Sequence, residues 1–208
     1  MNTVVLSAKD PLAMKQAIEI LQMGGLVAFP TDTVYGLGAL AFNGQAVESI
    51  FVAKDRPVEK AIPVLIADAN DLGKVCATVP ETALKLGTHF WPGALTVVVP
   101  KHPDLPPAIS SSPTVGVRIP DHPVARNLLR IAGPMAVTSA NLSGKSNPCS
   151  AQEVQDQLGG RIALIIDGGR TPGGVPSTVV DCTGLEAQLL RAGPISKEEV
   201  MAILGHIG

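Results

Sequence analysis

The 208-residue sequence holds little that could make a nucleophile or a metal site. Its three cysteines, Cys76, Cys149 and Cys182, lie far apart, are odd in number and include no C-x-x-C pair. That excludes a disulfide framework and a zinc ribbon, and it reads as unpaired thiols in a reducing compartment. The histidines at 89, 102, 122 and 206 form neither an H-E-x-x-H pair nor a spacing with cysteine; packing or surface roles are expected of them, and no metal ligand is assigned. No G-x-S-x-G elbow occurs. Aromatic residues make up 3% of the chain, too few for a stacking platform on single-stranded nucleic acid. The formal net charge of -2 excludes a globally basic nucleic-acid binder, so any anion site has to be local. The N-terminal stretch "MNTVVLSAKDPLAMKQ" lacks the apolar segment of a signal peptide, and no 18-residue apolar run follows. A soluble, cytoplasmic protein without membrane contact is expected.

What is present suits a packed core. Hydrophobic residues are 46% and charged residues 16%, and no composition shift, repeat or low-complexity stretch forces a split. A single domain over residues 1–208 is expected. Asp10 before Pro11 reads as an N-cap with proline at the first helical position, followed by Met14, Ala17, Ile18 and Leu21 at helical spacing and stopped by Gly24 and Gly25. "LVAF" reads as a buried strand, "AVESIFVAK" as a helix, and "AIPVLIA" as an extended segment whose Pro63 suggests an edge or a bulge. Asp68 with Asp71, Thr78 with Glu81, Ser150 with Glu153 and Ser196 with Glu199 fit the cap-to-N3 spacing of helix starts. "ALTVVVP", "TVGVRI", "MAVTS", "ALIID", "STVVD" and "QLLRAG" are short β-branched runs bounded by turn residues. The pattern is α/β, with about seven or more strands in one twisted sheet. "PKHPDLPPAISSSP" reads as a loop. Trp91 reads as a core residue before a turn.

One stretch carries polar residues without an evident use. "FPTDTVYGLG", residues 29–38, sets two hydroxyls and a carboxylate after an apolar run and then turns through two glycines, with no Cys, His or Lys beside them. Farther on, "AKDRPVEK" brings Lys54, Arg56 and Lys60 to a helix end. They suit either a solvated last turn that complements the helix dipole or, with Pro57 fixing the chain, a phosphate grip. Arg118 ends the run "TVGVR" with Thr114 on the same strand face, as a strand-end charge or a ligand. Ser139, Asn141 and Ser143 sit in a polar turn that either caps its own backbone or binds. "SGKS" mimics the tail of a phosphate-binding loop, but Ser139 stands where its first glycine would fall. Ser177 and Thr178 open a strand, and Arg191 closes one.

Taken in order, "FPTDTVYGLG", "KDRP", "TVGVRIPDHP", "TSANLSG", "STVVD" and "LLRAG" resemble the YrdC-type L-threonylcarbamoyladenylate synthase family, over about residues 9 to 204. The resemblance implies a YrdC-like α/β domain, a twisted mixed sheet with flanking helices around a basic concave pocket. It implies a reaction joining L-threonine, bicarbonate and ATP into threonylcarbamoyl-AMP and pyrophosphate, after which a partner transferase modifies tRNA. Thr33, Arg118, Ser139 and Ser177 would hold L-threonine. Lys54, Arg56, Lys60, Thr114, Asn141, Cys149 and Arg191 would hold ATP, with Cys149 acting through its backbone. Lys54, Arg56, Ser139 and Asn141 would carry catalysis, and Mg²⁺ would ride on the triphosphate. Direct tRNA contact is left open. Alternatives are an RNA-binding module without catalysis and carbamoyladenylate synthesis from carbamoyl phosphate. Leu65 stands where many relatives have histidine, and the chain resembles the single-domain form. The five cations Lys54, Arg56, Lys60, Arg118 and Arg191 are expected to crowd one pocket.

Overall fold

The structure is a computed structural model, and it describes residues 2–205. Ten strands form one sheet: β1 (Val4–Ser7), β2 (Val27–Pro30), β3 (Tyr35–Leu40), β4 (Val64–Leu65), β5 (Leu95–Pro100), β6 (Thr114–Arg118), β7 (Met135–Ser139), β8 (Leu164–Asp167), β9 (Thr178–Asp181) and β10 (Gln188–Arg191). Their order is β1-β8-β2-β3-β7-β4-β6-β5-β9-β10. Pairings are parallel at β1/β8, β8/β2, β4/β6 and β5/β9 and antiparallel elsewhere, so the sheet is mixed.

Seven helices flank it: α1 (Pro11–Gln22), α2 (Gly44–Lys54), α3 (Leu72–Val75), α4 (Glu81–Phe90), α5 (Pro123–Ala132), α6 (Ala151–Leu158) and α7 (Lys197–Leu204). Two apolar layers separate by the pleat. Leu164 and Ile166 of β8 pack with Ala17 and Leu21 of α1 and Leu128 and Leu129 of α5, whereas Ile165 between them joins Val47, Leu86, Val154 and Val200 from α2, α4, α6 and α7 on the other face. Successive strand side chains point to opposite faces, so each strand feeds both layers. Only α1 and α5 cover the first face.

The expected strand runs appear, and Asp10 caps α1 by accepting from the Leu12 N–H at 2.8 Å, with Pro11 at its first position. Ser150 accepts from Glu153 N–H, and Ser196 with Glu199 makes a full capping box. Four expectations need correction. Asp68 does not cap; its carboxylate is taken by Arg126 at 2.6 Å and Arg130 at 3.0 Å, charged donors that outbid a backbone amide. Thr78 does not cap either, because α4 starts one residue after Pro80. Pro63 marks neither an edge nor a bulge: the two-residue β4 lies mid-sheet, and the Pro63 carbonyl accepts from Val137 N–H at 2.9 Å. The missing proline N–H falls just outside the strand. The fourth concerns the glycines that follow the β2–β3 turn. His206, expected in a packing or surface role, lies outside the described residues.

The glycines of "YGLG" do not turn the chain. The turn is Thr31–Val34, where the Thr31 hydroxyl donates to the Val34 carbonyl at 2.7 Å and accepts from the amides of Thr33 and Val34. Gly36 and Gly38 lie inside β3, paired with β2 and β7. A Cβ on Gly36 would come within 2.7 Å of Val137 Cγ1. Valine is stiff at χ1 and cannot swing aside. Gly36→Ala is therefore expected to destabilise the protein by roughly 1–3 kcal/mol, the usual cost of overpacking; urea unfolding would measure it, and an unchanged midpoint would show that the β3/β7 approach is loose.

Candidate functional site

The half of the first sheet face left bare by α1 and α5 carries a cavity of about 340 Å³, lined by residues that include Thr31, Thr33, Gly36, Arg56, Leu65, Thr96, Arg118, Ser139, Ser177 and Arg191. The volume suits a small ligand. A wider depression of about 830 Å³ lies between Phe42, Gly44 and the Pro106–Ala108 loop, with Glu48 its one charged lining residue. Its polar lining is Asn43, Gln45 and Glu48, with no cation.

Strand register assembles the cavity floor. Leu65 pairs with Arg118, Thr96 with Val179, and Val179 with Arg191, so one row across β4, β6, β5, β9 and β10 brings an apolar group, two guanidiniums and a hydroxyl side by side. Cross-strand neighbours share a face, which is how residues far apart in sequence meet here. The β2–β3 turn adds Thr31 and Thr33, β7 adds Ser139, and the start of β9 is preceded by Ser177.

Arg118 is the most constrained of these groups. Its Nε donates to the Gly93 carbonyl at 2.9 Å, Nη1 to Thr33 Oγ1 at 3.2 Å and Nη2 to Asp32 Oδ1 at 2.6 Å. Its side chain is 8% exposed and that of Asp32 15%. Burial pulls its pKa down and the Asp32 charge pulls it back; arginine stays charged. Three bonds leave two of the five N–H donors of a guanidinium for a ligand. Opposite stands a second set: Arg191 donates from Nε and Nη2 to the Ser177 carbonyl at 3.0 and 2.8 Å, and Ser177 Oγ lies 2.7 Å from Thr96 Oγ1. Partial burial and the nearby Arg118 charge lower the Arg191 pKa. Arg56, half-buried, donates to the carbonyls of Lys60 and Ala61 at 3.3 and 3.0 Å.

The expected site residues divide. Thr33, Arg56, Arg118, Ser139, Ser177 and Arg191 line the cavity; Lys54, Lys60, Thr114, Asn141 and Cys149 are not among its lining residues. Lys60 is exposed, and Thr114 Oγ1 pairs with Ser112 Oγ at 2.8 Å. Cys149 is a free thiol, and its amide donates to Glu153 Oε2 at 2.7 Å. Lys54 is 1% exposed: its ammonium donates to the carbonyls of Ser139 and Asn141 and to Asn141 Oδ1, and Ser139 Oγ donates to the same Oδ1 at 2.5 Å. In the structure Lys54 thus braces the Ser139–Asn141 turn from behind. Three of the five cations meet in the cavity. Thr96 escaped the sequence reading, and Asp32 was noted there only as a carboxylate without a role. A lone threonine in an apolar strand and an acid between two capping-type threonines were the only signals.

A mixed-sheet α/β fold with a cation-and-hydroxyl cavity on its uncovered face defines a class of protein built to hold a small anionic or zwitterionic compound. The chain matches the family described as "Telomere recombination" (Sua5/YciO/YrdC) over residues 19–193. It belongs to the Sua5/YciO/YrdC family. It is 48% identical to a threonylcarbamoyl-AMP synthase of Bacillus subtilis, over 97% of this chain and 59% of that one. It is 41% identical to a putative threonylcarbamoyl-AMP synthase of Mycobacterium tuberculosis, over 91% of this chain and 88% of that one. A crystal structure of Pyrococcus abyssi Sua5 complexed with L-threonine superposes with a TM-score of 0.94 at 40% identity, covering 100% of this chain and 62% of that one. The chain therefore spans about three fifths of the length of the Bacillus and Pyrococcus relatives. Among the described residues, no helix is long and apolar enough to cross a membrane.

The brace has a pH signature. Burial, and after it the Arg56 charge, push the Lys54 pKa from 10.5 down to about 7. The folded chain then binds fewer protons than the unfolded chain between those values, so stability rises as pH climbs from about 7 to 10.5 and is lost again as pH falls back over that interval. Relative to Lys54→Met, which cannot titrate, the native protein is expected to gain about 2 kcal/mol between pH 7 and pH 9. Urea unfolding of both across that range would test it; a constant difference would mean that the three oxygens keep the ammonium charged.

Proposed function

We propose that the cavity joins L-threonine, bicarbonate and ATP into threonylcarbamoyl-AMP and pyrophosphate. The observation that carries this reading is the row that sets Arg118, Thr96 and Arg191 beside Leu65, ringed by the hydroxyls of Thr33, Ser139 and Ser177. The printed names of the relatives and the L-threonine complex of Pyrococcus abyssi Sua5 support it. A zwitterion's carboxylate fits the two free donors of Arg118, and its hydroxyl and ammonium fit the oxygens around them. Leu65 and Val137 offer an apolar wall for a methyl group.

The chemistry asks for no protein nucleophile. The threonine amine adds to the bicarbonate carbon with loss of water, and the resulting carbamate oxygen attacks the α-phosphorus of ATP as the bond to pyrophosphate breaks. The protein's share is to hold the reactants in line and to meet the charge that develops on phosphorus. Arg56 and Arg191 are the cations placed for phosphate oxygens. Lys54 and Asn141 act by holding Ser139 in place, and Lys60, Thr114 and the backbone near Cys149 belong to the outer part of the nucleotide site. No carboxylate lines the cavity, so Mg²⁺ would enter on the nucleotide phosphates with most of its water retained. The product would pass to a tRNA-modifying transferase.

Pyrophosphate release from ATP and bicarbonate, with and without L-threonine, tests the reading; threonine-independent release would sink it. Roles can be separated further. Arg118→Ala is expected to weaken L-threonine binding about ten- to a hundredfold, the worth of a charge-assisted hydrogen bond, with ATP little affected, and Arg56→Ala is expected to do the reverse. Calorimetric titration of both ligands into both variants checks this, and equal losses in each would contradict the division.

A further inference from the structure

The carboxylate in the middle of "PTDT" has no part in the assignment above. Asp32 lies 2.6 Å from Arg118 Nη2 with both side chains largely buried, which makes Arg118 unlike the other two arginines of the cavity. Arg56 rests on the carbonyls of Lys60 and Ala61, and Arg191 on that of Ser177. Among the described residues, neither has a carboxylate within ion-pair distance. The cavity's guanidiniums are therefore unequal: that of Arg118 is compensated by a carboxylate, and those of Arg56 and Arg191 are not. Near Asp32 also stands His122, whose pKa burial lowers, with the charges of Asp32 and Asp121 opposing that shift; the ion pair of Asp32 is with Arg118.

We propose that Asp32 is a sorting residue: by neutralising Arg118 at hydrogen-bond distance, it makes that guanidinium accept a zwitterionic amino acid and refuse polyphosphate, which is left to Arg56 and Arg191. A polyanion at Arg118 would meet a carboxylate immediately behind the guanidinium in a partly dry cavity, where repulsion is poorly screened. A zwitterion brings one ammonium for its one carboxylate and meets no net repulsion. The same bond fixes the direction of the guanidinium fork. Two ligands that both carry anionic groups would otherwise compete for one cluster of arginines. The inference deepens the amino-acid and nucleotide reading of the cavity and rests on it.

The test uses inorganic pyrophosphate as the probe and calorimetry as the readout. The Asp32→Asn, Arg118→Ala double variant removes the pair without stranding a charge and should leave pyrophosphate affinity within about twofold of the native protein; a tenfold loss would overturn the proposal. Asp32→Asn keeps the shape and an acceptor oxygen while removing the charge, and it should raise pyrophosphate affinity by roughly tenfold. In Asp32→Asn pyrophosphate should compete with L-threonine, which is not expected of the native protein, and the gain should vanish in the Asp32→Asn, Arg118→Ala double variant. Asp32→Glu should restore the native pyrophosphate affinity, which a merely structural role would not produce. Should Asp32→Asn fail to fold, Asp32→Ser is the neutral replacement in both the single and the double variant. An unchanged affinity in the neutral variant, or a gain that survives loss of Arg118, would overturn the assignment. Pyrophosphate behaviour as expected in a protein that binds no L-threonine would sink the functional reading while leaving Asp32's role intact.

Discussion

A guanidinium built into the middle of a sheet is tolerable only where its charge and its N–H groups are met locally, because the strand around it cannot move to seek water. Arg118 meets that demand through Asp32 and Thr33, 86 and 85 residues earlier in the chain, and through Gly93 just before β5. Those bonds tie the β2–β3 turn, the approach to β5 and the end of β6 to one point. Removing one partner of such a buried pair commonly costs about 3–5 kcal/mol, since it strands the other charge. The turn motif is thus a structural requirement of the central strands as well as a ligand wall. Its threonines serve both ends: Thr31 closes the turn on its own backbone, which leaves Thr33 Oγ1 to face the arginine.

Much of this was legible in the sequence because local chemistry decides it. Asp10 with Pro11, Ser150 with Glu153 and Ser196 with Glu199 satisfy amides within three residues, so tertiary contacts need not be known. Where a distant partner competes, the local pattern misleads. Asp68 has a cap's spacing, but Arg126 and Arg130 arrive from α5, a helix whose start the sequence reading did not mark, and claim the carboxylate. The two glycines of β3 read as a turn for a related reason. Their absent side chains answer to Val137, Met135 and Phe29 on neighbouring strands, which spacing along one chain cannot reveal.

The site divides along the same line. Residue types suited to a zwitterion and a phosphate, namely Thr33, Arg56, Arg118, Ser139, Ser177 and Arg191, were visible as types, and register then brought them to one face. Lys54 was visible as a cation but not as a brace, since its ammonium turns inward to the carbonyls of a turn 85 residues later. Thr96 was invisible, because a threonine in a β-branched strand is ordinary until its hydroxyl is found 2.7 Å from Ser177.

The absence of a nucleophile and the abundance of internal hydrogen bonds are two sides of one design. A group that attacks must be reactive and partly free, whereas a group that only orients must be held still before the ligand arrives. Here Ser139 is tied to Asn141, Asn141 to Lys54, Ser177 to Thr96 and Arg191, and Thr33 to Thr31 and Arg118. These hydroxyls are fixed by neighbours that are themselves fixed by the sheet or by a buried charge. Such prior fixing suits a site that orients its ligands rather than attacking them. The bare half of the sheet face supplies the rigid floor, and the covering helices α1 and α5 stop short of it, so the same division that leaves the core asymmetric leaves the cavity open.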